Sequence, residues 1–204
     1  MPAQARFPLL LIGAFLALYF VWGSTYLFIR IGVESWPPLL MAGVRFLIAG
    51  TILYAFLRLR GAPNPTWPQW RAAGCVGILL LSCGNGGVTV AEHAGVSSGV
   101  AALAVATVPL FTRLEWAGIV LGLVGIGLLN LGSNLQASPL GAALLIFAAA
   151  AWAFGSVWSR SLPLPQGAMA AATEMLIGGA VLLLGSLVSG ERMQQWPTAA
   201  GWGA

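Results

Sequence analysis

The stretch FPLLLIGAFLALYFVWGSTYLFI, from residue 7 to residue 29, is 23 residues long and carries no charged side chain. A membrane-spanning helix needs about 20 mostly apolar residues, so this stretch alone predicts a helix that crosses a bilayer. It is too long for the apolar part of a signal peptide, and no small-residue cleavage site with polar sequence behind it follows. We therefore expect it to be retained as a first transmembrane helix.

The composition of the whole chain extends that prediction. Hydrophobic residues make up 59% of the 204 residues, charged residues only 7%, and the mean hydropathy is +0.90. A soluble chain has roughly a quarter of its residues charged, so this composition excludes a soluble protein. The net charge is +4, but the arginines are scattered rather than clustered, and we expect no nucleic-acid partner. The predicted fold class is an all-α membrane protein in a lipid bilayer.

Charged residues and Pro/Gly-rich connections divide the chain into about seven segments of membrane-spanning length. They cover residues 8–30, 37–58, 70–91, 95–112, 114–131, 139–159 and 167–189. The fourth and fifth are short, since 33 residues from 99 to 131 include Arg113 and Glu115, whereas two spans and a turn need about 42. Either both helices are stunted or they merge into one span. We favour two stunted helices, because one merged span would move Arg160 to the opposite side.

The arginines predict the orientation of these segments. Loops that carry Lys or Arg tend to stay in the cytoplasm. With a cytoplasmic N-terminus, two arginines lie on the outer side, Arg30 and Arg192, and one, Arg45, lies inside the membrane. The other six are then all cytoplasmic: Arg6, Arg58, Arg60, Arg71, Arg113 and Arg160. We therefore expect a multi-pass protein with its N-terminus in the cytoplasm.

The first two segments resemble the last two. Trp22-Gly23-Ser24 is similar to residues 152–156 (WAFGS), and residues 45–50 (RFLIAG) are similar to residues 174–179 (EMLIGG), at spacings of 23 and 22 residues. Five spans separate the two copies, and an odd number inverts the second copy in the membrane. The division falls between residues 1–132 and 133–204. Alternatively, any two Trp/Gly/Leu-rich membrane helices look alike.

Two ionisable residues inside predicted spans are candidates for the substrate pathway. Arg45 and Glu174 occupy matching repeat positions with opposite charges, and such groups are expensive in a membrane unless they face a cavity or a partner. We hypothesise that they approach each other or line a cavity, where Arg45 attracts a substrate carboxylate and Glu174 an amine or a proton. Alternatively, Arg45 reaches an interface and Glu174 hydrogen-bonds a neighbouring helix.

Glu92 and His93 are adjacent at the end of the third segment, where a carboxylate beside an imidazole could relay protons. A solvated loop pair is the alternative. The sequence shows no nucleophile with a supporting base, no metal-ligand set and no phosphate-binding glycine motif. We therefore expect no enzyme activity, no metal and no cofactor.

Interrupted helices and aromatic residues within spans complete the candidate pathway. Asn85 among glycines and Thr107-Val108-Pro109 interrupt the third and fourth segments, and such breaks can expose backbone groups to a substrate. Trp22, Tyr26 and Trp152 lie within spans rather than at their ends, where flat rings can line a cavity. The alternatives are kinks and helix packing for the breaks, and core or lipid contacts for the rings.

Several of these motifs, together with others along the chain, resemble the EamA family of the drug/metabolite transporter superfamily. The similar motifs are FVWGSTY at 20–26, Arg45-Phe46, GNGGVTVAEH at 84–93, SGVAA at 98–102, VATVPLFT at 105–112 and WAFGS at 152–156. The last three resemble a narrower group of metabolite exporters within that family. The resemblance covers essentially the whole chain.

This resemblance implies ten helices in two inverted five-helix repeats around a central cavity. The chain would then hold the first repeat, with a shortened fourth helix, in residues 1–132, and an incomplete second repeat in residues 133–204. Two departures from the family pattern are expected: an internal deletion after Phe111-Thr112, and an end near residue 204 where the eighth helix should begin. The chain therefore resembles a deleted and truncated member of the family.

The expected function is secondary transport. The resemblance implies export of amino acids, related metabolites or drugs across the cytoplasmic membrane of a bacterium by alternating access, driven by protons or by exchange. The alternative is a non-transporting scaffold or an inactive fragment of such a transporter. Pairing of two chains to complete a pathway stays open.

Overall fold

A computed structural model of the chain describes residues 3–96, 139–193, 196–199 and 201. The described residues form helices and connections, without strands. In chain order the elements are α1 (Ala3–Val33), α2 (Pro38–Leu59), α3 (Trp67–Gly77), a π-helical segment (Ile78–Asn85), α4 (Gly86–His93), α5 (Pro139–Ser159) and α6 (Ala168–Val188). The all-helical class predicted from the composition is confirmed for this part of the chain.

Four stretches of the described chain are long and apolar enough to cross a membrane. They are Leu11–Val33, Pro38–Leu59, Trp67–His93 and Ala168–Val188, and a shorter apolar helix covers Ala143–Ser159. The third stretch, called the third span below, joins α3, the π-helical segment and α4. These five helices correspond to five of the seven predicted segments. The other two, 95–112 and 114–131, lie outside the described residues, so the total of seven stays a prediction.

Glycines on α2 and α6 allow these two helices to pack closely in antiparallel directions. A methyl group added at Gly50 would lie 2.9 Å from the Cβ of Met175, and one added at Gly179 would lie 3.0 Å from the backbone nitrogen of Leu47. Small residues are typical of membrane-helix interfaces, because they let two backbones approach.

The third span packs between α6 and α5. It runs parallel to α6, where a methyl group at Gly77 would lie 2.5 Å from the carbonyl oxygen of Glu174. It runs antiparallel to α5, where a methyl group at Gly87 would lie 3.1 Å from the Cβ of Ala148. The third span therefore lies at the centre of the described bundle, and α1 packs against its α4 end.

The helix directions sort the charged residues between the two ends of the bundle. The ends of α2 and α5 lie beside the start of α3, so one end holds Arg58, Arg60, Arg71 and Arg160. Arg30, in the last turn of α1, and Arg192, after the end of α6, lie at the other end. Arg160 therefore lies at the same end as Arg58, as expected when two short helices rather than one merged span connect the third span to α5. Which end faces the cytoplasm stays a prediction.

Candidate functional site

A cavity of about 490 Å³ lies between α1, α2, the third span, α5 and α6. Five of the eight predicted pathway residues line it: Trp22, Tyr26, Arg45, Asn85 and Trp152. The other lining side chains are mainly apolar. Ligand cavities typically have volumes of about 300–1,000 Å³, so this one has the size of a small-molecule site.

Arg45 and Asn85 form the polar part of the cavity. Nη2 of Arg45 donates a hydrogen bond to Oδ1 of Asn85 at 3.0 Å, which joins α2 to the π-helical segment. The guanidinium also lies 5.1 Å from the centre of the Phe46 ring, within the range of a cation–π contact. Arg45 is only partly buried. Its side chain faces the cavity from a position about a third of the way along α2.

The π-helical segment places Asn85 in the cavity wall. A π-helical turn holds more residues than an α-helical turn, and such turns occur often at functional sites. Thr89 donates its hydroxyl to the carbonyl oxygen of Asn85 at 2.9 Å, while Ser82 donates to the carbonyl oxygen of Gly178 at 3.0 Å. The sequence predicted an interruption at Asn85. The structure shows a helix that continues with a wider turn.

Aromatic rings from α1 and α5 form the opposite part of the cavity. The ring centres of Trp22 and Trp152 lie 5.7 Å apart, and their planes are tilted by 54°. Tyr26, one turn after Trp22, packs against the buried cluster of α4 and α5 that contains Val88. Trp22 and Tyr26 therefore share one face of α1.

Of the three remaining predicted pathway residues, Glu174 is described and does not line the cavity. Glu174 is partly buried where α6 meets Gly77 of the third span, and its neighbour Met175 is the α6 residue that faces the cavity. Both residues of the hypothesised pair are described, and Glu174 forms no ion pair with Arg45. Thr107 and Pro109 lie outside the described residues.

The structure places Glu92 and His93 in different surroundings. Glu92 is fully buried at 0% exposure, whereas His93 is exposed and lies with Nδ1 3.3 Å from the carbonyl oxygen of Val33. Nη1 of Arg30 donates a hydrogen bond to the backbone carbonyl of Glu92 at 3.2 Å. Glu92 does not line the cavity, but it lies one helical turn after Val88, which does.

Several lining residues were not predicted from the sequence. Phe46, Leu81, Val88 and Met175 line the cavity, but nothing separates them in the sequence from other apolar residues of their helices. Ile29 could have been found, because it follows Trp22 and Tyr26 at helical spacing on the same face of α1. Across the part of the chain that the structure describes, no cluster of three His, Cys or Glu residues could hold a metal ion.

Comparison with known proteins gives one family and several relatives. The model of the EamA-like transporter family matches residues 9–115. The inner membrane transporter YedA of Escherichia coli strain K12 is 52% identical over 204 aligned residues, which cover 94% of this chain and 67% of that protein. No solved structure gives a significant match.

More distant relatives carry transporter names as well. YoaV of Bacillus subtilis, named as a transporter, is 24% identical over 157 residues, or 69% of this chain and 53% of that protein. A Salmonella typhimurium protein named "Probable amino-acid metabolite efflux pump" is 29% identical over 165 residues, or 72% of this chain and 53% of that protein. The chain therefore spans about two thirds of YedA and about half of the other two.

Proposed function

Because this chain belongs to the EamA-like transporter family, we propose that it exports small metabolites by alternating access as a secondary transporter. The substrates are amino acids or related compounds, with drugs as a further class. The observation that carries the proposal is the cavity between the helices, where Arg45 and Asn85 face two tryptophans. The chain is an inner-membrane protein of a bacterium, like YedA, and its family is one of transporters rather than enzymes.

The position of the cavity supports transport. Arg45 lies within a membrane span, and a charged side chain at that depth normally faces a water-filled cavity or a substrate path. The cavity also lies between helices that the sequence assigned to different repeats, where substrate sites of inverted-repeat transporters usually lie.

The helix pairs support the inverted repeat itself. Trp22 of α1 and Trp152 of α5, which occupy matching repeat positions, meet across the cavity on antiparallel helices. The second helices of the two repeats, α2 and α6, also pack in antiparallel directions. A pseudo-twofold axis that lies in the membrane plane would relate two repeats in this antiparallel way. We therefore keep residues 1–132 and 133–204 as the proposed first repeat and incomplete second repeat of the family's ten-helix arrangement.

Coupling to protons is part of the proposal. Glu92 is a buried carboxylate one helical turn after the cavity residue Val88, and His93 is exposed at the same end of the bundle. A carboxylate in that position can take up a proton from the cavity side and release it towards the imidazole. The arginine pattern of the sequence, with six arginines on one predicted side and two on the other, supports a cytoplasmic N-terminus.

The second candidate function is a scaffold or an inactive part of a transporter. The chain spans 67% of YedA, so that relative contains regions that this chain does not match. A homodimer would be one way to complete such a pathway.

Efflux from intact cells distinguishes the two functions. Cells that produce the chain are loaded with labelled amino acids, their deaminated carboxylates or cationic drugs, and the release rate is measured. We expect faster release than from control cells, lost in Arg45→Gln and kept in Arg71→Gln, which removes an exposed arginine at the start of α3. Immunoblots of membranes check that the variants insert. Release equal to that of control cells for every compound would favour the scaffold.

A further inference from the structure

We propose that the cavity selects organic monocarboxylates with an aromatic or apolar body and no ammonium group. This inference rests on the proposed export function and narrows its substrates. Among amino-acid-related compounds it favours deaminated acids over the amino acids themselves.

The charge of the cavity points to an anion. Arg45 is the only charged side chain among the described lining residues, and Asn85, to which it donates, is neutral. Within the described residues Arg45 forms no ion pair with a carboxylate, so its positive charge is not neutralised there. The guanidinium has five N–H donors in a planar fork that matches a carboxylate. A ligand carboxylate would therefore supply the charge that the protein leaves out.

The four glutamates that the structure describes do not provide a site for an ammonium group in the cavity. The chain has five glutamates and no aspartate. Glu34 lies 3.9 Å from Arg30 in an exposed ion pair, and Glu191 accepts hydrogen bonds from the backbone nitrogens of Leu39 and Leu40 at 3.2 and 3.0 Å. Both of these glutamates are thus engaged at the end of the bundle, away from the cavity.

Of the other three glutamates, the two that the structure describes do not line the cavity either. Glu92 is buried outside the wall, and Glu174 lies against the third span. Glu115 is outside the described residues. Transfer of an ammonium group from water to a site without a counter-charge, beside the positive charge of Arg45, is costly. The cavity therefore disfavours cations and zwitterions relative to simple anions.

The aromatic and apolar side chains that line the cavity suit the uncharged, apolar part of the proposed ligand. Trp22, Tyr26 and Trp152 offer flat rings, and Phe46, Leu81 and Met175 offer apolar surface. Aromatic rings stack on one another in offset or tilted arrangements, as Trp22 and Trp152 already do. A volume of about 490 Å³ leaves room for a six-membered ring together with its carboxylate.

A matched ligand series tests the proposal on the purified full chain in detergent by isothermal titration calorimetry. The four probes share one phenylpropyl skeleton: 3-phenylpropanoate, phenylalanine, 3-phenylpropylamine and 3-phenylpropanamide. Phenylalanine differs from the first probe only by its ammonium group. We expect 3-phenylpropanoate to bind at least about tenfold more tightly than each of the other three.

Variants of Arg45 locate the selectivity. We expect Arg45→Gln to reduce the affinity for 3-phenylpropanoate to that for the amide, Arg45→Lys to keep part of the preference, and Arg71→Gln to change nothing. Equal binding of phenylalanine and 3-phenylpropanoate, or no binding of any probe, would overturn the proposal. If Arg45→Gln fails to fold, the Lys variant and the probe series on the unmodified chain decide. These are equilibrium measurements without a membrane, so a failure of export in cells leaves their result intact.

Discussion

Trp22 and Trp152 show how the identity of single residues determines what this cavity can bind. Trp22 lies in the first candidate span and Trp152 in the shorter apolar helix α5, and their ring centres lie 5.7 Å apart at the cavity although the residues are 130 positions apart in the chain. Their contact joins α1 to α5 and provides a flat apolar surface opposite Arg45. Removal of one ring should therefore reduce ligand affinity.

Replacement of Trp152 by alanine tests this role. We expect Trp152→Ala to weaken binding of 3-phenylpropanoate by roughly three- to tenfold, which corresponds to the loss of one aromatic contact of about 0.5–1.5 kcal/mol. Trp158→Ala is the matched control, because Trp158 lies on the same helix, is exposed, and does not line the cavity. An equal effect of both variants on affinity would contradict the assignment of Trp152 to the site.

Glu92 carries a separate prediction at the same scale. We expect Glu92→Gln to keep ligand binding but to lose the acceleration of efflux by an imposed pH gradient, because the amide cannot carry a proton. Glu34→Gln should keep that acceleration, since Glu34 is an exposed carboxylate at the same end of the bundle. Gradient-driven efflux through Glu92→Gln at the rate of the unmodified chain would rule out the proposed relay.

The sequence predicted the polar and aromatic residues of the site better than its apolar ones. Arg45, Asn85 and Trp152 stand out because charges, amides and mid-span rings are unusual in membrane helices. The side of α6 that Glu174 occupies could not be predicted in the same way. That helix is apolar on every face, so its sequence has no polar stripe that distinguishes the cavity side from the side packed on the third span.

At the scale of elements, glycines determine how closely the central helices approach. Gly77 of the third span has its Cα against the backbone of Glu174, and Gly178 lies beside the carbonyl of Gly77. Small residues within spans are typical of close helix packing, but the sequence does not specify which helix lies on the other side of Gly77 or Gly178. Only the three-dimensional structure shows that α6 and the third span pack against each other at these glycines.

Gly77→Ala should destabilise the bundle. The added methyl group would lie 2.5 Å from the carbonyl oxygen of Glu174, so the third span and α6 must move apart. We expect a loss of about 1–3 kcal/mol and a lower melting temperature in detergent. Gly23→Ala is the matched control, because no atom lies within 4 Å of its added methyl group. A melting temperature that is unchanged in Gly77→Ala would show that the close approach is wrong.

At the scale of the whole molecule, the described helices place four arginines at one end of the bundle and two at the other. The charge pattern of the sequence predicted this separation, because each apolar span reverses the direction of the chain. The number of spans could not be established in the same way. Residues 99–131 are too short for two ordinary spans, and they lie outside the described residues.

Labelling of single cysteines tests the orientation. In a chain whose Cys75 and Cys83 are replaced by alanine, we introduce Ala62→Cys between α2 and α3, or Glu34→Cys after α1. We expect a membrane-impermeant maleimide to label Glu34→Cys on intact cells and Ala62→Cys only after the cells are opened. The reverse pattern would place the N-terminus outside the cytoplasm.

The most direct test of the account is efflux from proteoliposomes that contain the purified 204-residue chain and no other protein, beside liposomes that contain complete YedA. Both are loaded with the same panel of labelled amino acids, deaminated carboxylates and cationic drugs. We expect liposomes that contain the chain to release at least one carboxylate at a higher rate than protein-free liposomes. Arg45→Gln should abolish that difference in rate. Efflux through YedA but none through this chain, or equal efflux with and without Arg45, would contradict the claim that the cavity of this chain is an export site.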